Sequence, residues 1–133
     1  MPIEYDIIEN KQLVLAKGTG VVTAIDIIEH LDNLSADNRY TAPMKKIVDY
    51  RLIEDIEISS KEASGIAQKK RLLTSTLFCG ERCAFVSPDD TAYGTSRVHQ
   101  ALSEGSNANT EVFRQIEDAL DWLDITLDID LDA

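Results

Sequence analysis

The sequence predicts a single α/β domain, a mixed sheet of about five strands flanked by about four helices in the order ββαβαβαβα. Three observations predict it. Short runs rich in β-branched and aromatic residues alternate with stretches whose apolar residues recur every three to four positions. No linker or internal repeat divides the 133 residues, a length typical of one domain with a sizeable core. Residues 45–66, KKIVDYRLIEDIEISSKEASGI, read as a buried strand, an acidic turn and the start of a capped helix.

The elements follow in order. Residues 3–8 and 12–17 are apolar runs joined by Glu9-Asn10-Lys11, an opening β-hairpin. Gly18-Thr19-Gly20 lacks both the third glycine of a dinucleotide loop and the G-K-[ST] of a P-loop, so a bulge or tight turn accounts for it. Thr23 and Asp26 resemble an N-cap and its acidic partner. Ala24, Ile27, Ile28, Leu31 and Leu34 then give an amphipathic helix with His30 on its polar side. Residues 35–43 are a polar connection into the central strand, residues 46–53, whose start at Lys45 and Lys46 is expected to be solvated. Period two puts Val48, Tyr50 and Leu52 on one face and Ile47, Asp49, Arg51 and Ile53 on the other.

Ser59 and Glu62 match the S-x-x-E capping box, and the second helix is expected over residues 60–73. Residues 78–81 break it, and 82–87, RCAFVS, form another short buried strand. Pro88-Asp89-Asp90 offers a turn and an N-cap for a third helix carrying Tyr93, Arg97, Val98, Ala101 and Leu102, ended by Gly105. After a loop at 106–109 come a strand at 110–113 and a fourth helix built on Ile116, Ala119, Leu120 and Leu123, with Trp122 beside its stripe. The domain thus spans residues 1–124. The acidic tail, 125–133, alternates aspartate with apolar residues and is either frayed or an edge strand laid on another surface.

Composition bounds the function. The net charge of −11 argues against nucleic acid or an anionic membrane as main partner. Local basic clusters, Lys45–Lys46 and Lys69–Lys70–Arg71, are either solvated faces or, for the second, a stripe that meets an acidic partner. No run approaches the roughly 20 apolar residues of a membrane span. The acidic N-terminus is unlike a signal peptide, so a cytoplasmic location is expected. Cys79 and Cys83 cannot by themselves fill a structural zinc site, and Cys83 opens a buried strand. No metal and no cofactor is expected.

Catalysis finds no constellation. Neither His30 nor His99 is spaced as the base of a nucleophile, and capping and turn formation explain Asp89-Asp90. The one candidate corner joins Asp49 and Arg51 at the end of the central strand with Tyr93 and Arg97 of the Y-G-x-x-R turn. Either the two arginines hold a small anionic or polar-headed ligand there, or Asp49 is structurally paired, with Arg51 beside it on the strand or with Arg97 under the cover of Tyr93.

Four motifs in order, G-x-V-T at 20–23, V-D-Y-R at 48–51, A-F-V-S-P-D-D-x-x-Y-G-x-x-R at 84–97 and V-F-R-x-x-E-x-A-x-x-W-L at 112–123, give a resemblance over roughly residues 13–124. The chain resembles the SpoIIAA-like bacterial proteins, relatives of the STAS domains of anti-sigma-factor antagonists, whose fold is also compared with the lipid-carrying CRAL-TRIO domains. The resemblance implies a helix-flanked sheet, a cytoplasmic location and no established catalysis. Antagonists carry D-S-S-G with a phosphorylated serine at the start of the second helix. The matching region is I-S-S-K-E-A-S-G, so Ser59 and Ser60 stand at the phosphosite, with Ile58 replacing the aspartate and Lys61 the glycine. The expected function is a non-enzymatic regulatory or protein-interaction module, its partner another protein or a second copy in a homodimer. The alternative is a carrier or sensor of a small apolar or lipid-like ligand in the CRAL-TRIO manner.

Overall fold

A computed structural model describes residues 2–102 and 108–125. Five strands and four α-helices alternate as expected: β1 (Ile3–Ile8), a 3-10 turn (Glu9–Lys11), β2 (Leu13–Thr23), α1 (Ala24–Ser35), β3 (Lys45–Glu57), α2 (Ser60–Thr74), β4 (Arg82–Val86), α3 (Asp90–Leu102), β5 (Asn109–Phe113) and α4 (Ile116–Leu123). They form one mixed sheet in the order β1-β2-β3-β4-β5. β1 is antiparallel to β2, and the other neighbours are parallel.

The topology explains the layers. Each parallel crossover from β2 to β5 steps to the next strand in the same direction. Right-handed crossovers then place α1, α2 and α3 side by side on one face. Cys83, Val48 and Tyr50 point into that layer, against Ala92 of α3 and Ile27 of α1. The opposite face carries Leu13, Ile47, Ala84 and Val86, which α4 covers with Ala119, Leu120 and Leu123. A third cluster, Val14, Leu31, Leu34, Met44 and Phe78, closes the end of the helical layer where the parallel strands begin.

Both predicted helix starts are capping boxes. Thr23 accepts from the Asp26 backbone and Asp26 from that of Thr23, and Ser59 and Glu62 do the same. The strands are longer than their apolar runs. β2 continues through Gly18 and Gly20 to Thr23, and β3 runs on through the acidic residues 54–57, expected as a turn. Lys17 pairs with Asp49 but Thr19 with Leu52, and Gly20 pairs with Ile53 but Val21 with Asp55. β3 therefore holds two residues more than β2 opposite it, which marks two bulges. These overturn the strict alternation. Ile53 packs with Tyr50 and Val48 on the helical face instead of beside Asp49, and Leu52 is exposed. Gly18 is needed where the strands come together, since a Cβ there would lie 2.8 Å from Tyr50 Cδ1. The expected helix end at Gly105 and the tail beyond Ile125 lie outside the described residues. Ile125 itself donates to the Leu120 carbonyl at 3.0 Å and packs beside α4.

Candidate functional site

The helical layer does not fill all the space above the sheet. Where it crosses β3 and β4 it presents small side chains, Ala63 of α2 and Thr95 and Ser96 of α3, and a cleft remains. Its apolar wall includes Ile3, Ile27, Val48, Ile56, Ile66 and Phe85. The void is about 660 Å3 with its mouth included. The second β3 bulge helps to build the wall, because it brings Ile56 onto the face of Tyr50.

The polar part of the wall is unexpected. Lys46 is 2% exposed, and its Nζ stands 2.7 Å from His30 Nε2, itself on a buried side chain. Next to them Lys70 donates to Glu81, both buried, and Tyr40 donates to the second Glu81 oxygen at 2.8 Å. His99 completes this side, its ring edge-on to Phe85 at 5.6 Å.

Burial and these neighbours set the protonation states. Burial, then Lys46 and Lys70, push His30 down to about 2, so its ring is neutral at physiological pH. Burial, reinforced by Lys70, brings Lys46 down to about 8. Burial opposes the charges of Lys70 and Glu81, but each holds the other ionised: Lys70 is raised and Glu81 lowered. Burial likewise brings His99 down to about 4 and lifts the Cys83 thiol to about 11. The buried cluster thus holds two ammonium groups and one carboxylate, an excess of one positive charge inside a chain whose net charge is −11.

Three expectations are corrected here. His30 is 6% exposed instead of solvated, Lys46 is buried instead of at a solvated strand start, and Lys70 leaves the exposed stripe to pair with Glu81. For two of them the signal was present. Lys46 shares the face of Val48 and Tyr50 by period two, and His30 lies three residues after Ile27 and four before Leu34, on the apolar stripe of α1. Glu81 carries no such signal, since its partners lie 11 and 41 positions away.

The predicted corner keeps the expected Asp49–Arg51 pair, but Tyr93 does not cover an Asp49–Arg97 pair. Asp49, 7% exposed on the Ile47 side of β3, is gripped by Arg51 through a fork at 3.0 and 2.9 Å and accepts from the Arg51 backbone at 3.0 Å. Tyr93 instead has Arg114 over its ring at 4.1 Å, and Arg114 reaches Asp90 at 2.8 Å. Arg97 is exposed on α3. Two couples, Asp49–Arg51 and Tyr93–Arg114, stand where one site of four residues was expected, and none of the four predicted residues lines the cleft. Ser59 and Ser60 are both exposed at the start of α2, with the Ser59 hydroxyl occupied as the N-cap.

The fold is similar to that of an uncharacterised protein of the DUF3478 family with a SpoIIAA-like fold from Shewanella loihica PV-4. The two share 21% identity over 91% of each chain, with a TM-score of 0.56. That likeness shows a SpoIIAA-like fold for this chain. No family model and no curated protein matches it. Among the described residues no helix is long and apolar enough to cross a membrane.

Proposed function

We propose that this chain is a non-enzymatic binding module that holds a small apolar ligand between its sheet and helices α1–α3. The observation that carries the reading is the cleft itself, a largely apolar void built into the interior of a folded domain, with a few polar groups gathered on one side. Ligand sites have this composition. Binding is favoured over catalysis because burial keeps the Cys83 thiol protonated at neutral pH, while the His30 nitrogen facing Lys46 is already engaged. The module works in the bacterial cytoplasm, and occupancy of the cleft is passed on through contact with a protein partner or a second copy.

Native mass spectrometry after gentle purification, joined to thermal shift with a panel of apolar compounds, tests this. A ligand held only by the folded state, at a hundredfold excess over its Kd, stabilises by about 2.7 kcal/mol, a rise of several degrees in Tm for a domain of this size. Nothing co-purified and no shift across the panel overturns the cleft reading. Size exclusion with pull-down from native cytoplasm tests the partner: a strictly monomeric protein that captures nothing overturns that half.

A further inference from the structure

The polar side of the cleft says what the apolar ligand carries at its end. Lys46 is an ammonium and has no lone pair, so at 2.7 Å it donates to His30 Nε2. A neutral imidazole that accepts at Nε2 bears its proton on Nδ1. His30 Nδ1 is the one buried side-chain nitrogen or oxygen among the described residues with no hydrogen-bond partner. A residue of the cleft wall therefore carries a buried N–H with nothing to donate to, on a ring already tied to an ammonium group. Leaving such a donor unsatisfied is costly, and an acceptor supplied by a ligand removes that cost.

The charge points the same way. Glu81 accepts its hydrogen bonds from Lys70 and Tyr40 and acts on Lys46 only through its charge, so the three groups keep one cation in excess, and Lys46 is the one without a carboxylate in direct contact. A buried ammonium whose nearest partner is a neutral ring lacks its counter-ion, and buried charges are ordinarily paired. Resting on the cleft reading above, we infer that the ligand is an apolar carboxylic acid bound as its anion, with its oxygens on Lys46 Nζ and His30 Nδ1 and its chain along Val48, Ile56, Ile66 and Phe85. A neutral head would satisfy His30 and leave Lys46 uncompensated, and a cationic head would meet an ammonium.

Calorimetric titration of the purified protein with octanoate and decanoate, and with decanol as the neutral counterpart, tests the assignment. Decanoate is expected to bind at least about tenfold tighter than decanol, the scale of a charge-assisted pair of hydrogen bonds. In Lys46→Met, checked for folding by circular dichroism, that preference is expected to shrink to within about twofold, because the ammonium is gone while the apolar wall remains. Equal binding of acid and alcohol by the wild type overturns the carboxylate assignment and leaves the cleft reading standing. So does an acid preference that survives in a folded Lys46→Met. If neither compound binds the folded wild type, the cleft reading falls and this inference with it. The wild-type comparison of acid and alcohol decides the matter even if the variant does not fold.

Discussion

Lys70 and Glu81 are nearly inaccessible to water, and each is held ionised chiefly by the other beside it. Removing one partner strands the other charge in the core. Glu81→Gln is therefore expected to destabilise the fold by about 3–5 kcal/mol, read as a lowered urea midpoint at unchanged m-value; a loss below about 1 kcal/mol sinks the pairing argument. His30 couples the same cluster to pH. It is faced by Lys46 on β3, Lys70 on α2 and the Tyr5 ring on β1. Its folded value is depressed to about 2, with burial first and the two lysines next, against about 6.5 in the unfolded chain. Below pH 6.5 the unfolded chain thus binds a proton that the folded chain refuses. Stability is full above that pH and falls as pH drops toward 2, by about 1.4 kcal/mol per pH unit. Between pH 6.5 and 5 His30 alone accounts for a loss of about 2 kcal/mol, measurable by urea denaturation at both values. His30→Phe is expected to remove that share of the slope. A wild type equally stable at both pH values contradicts the account.

Among the elements, β3 departs most from its sequence pattern. Its apolar run and faces up to Tyr50 were legible, because alternation there follows the pleat. Beyond Tyr50 the first bulge re-aims Ile53 into the helical layer and the second restores the original phase, so that Ile56 returns to it, and only pairing with β2 produces bulges. Gly18 is the counterpart of this irregularity. Gly18→Ala would drive a methyl group against the buried Tyr50 ring and Ile53 Cγ2 at 3.0 Å, and is expected to cost about 1–3 kcal/mol. An unchanged thermal midpoint would show that the ring gives way freely. The helix starts were more legible, since a capping box is a local device three residues apart. Ser59→Ala removes the acceptor of the Glu62 N–H at 3.1 Å and is expected to lower stability by about 1 kcal/mol. Chemical denaturation of the single variant measures it, and no loss would deny the cap its role.

At the scale of the whole molecule, 24 acidic residues face 13 basic ones, while the interior cleft carries the opposite excess. The folded chain concentrates negative charge on its surface, and salt screens the resulting repulsion. Raising ionic strength from about 0.01 to about 0.15 M, a change of Debye length from about 30 to about 8 Å, is expected to raise Tm at neutral pH; a falling Tm would show that attractive surface pairs dominate instead. Fold class, element order, the two capping boxes and the acidic surface could all be read from the residues alone, because each depends on period, local hydrogen bonding or a sum of charges. Which ionisable groups went inside, the Tyr93–Arg114 couple, and the cleft that small side chains on α2 and α3 left above β3 and β4 came only with folding. Those outcomes depend on residues distant in sequence meeting at one depth in the fold, where the cost of desolvation chooses their partners.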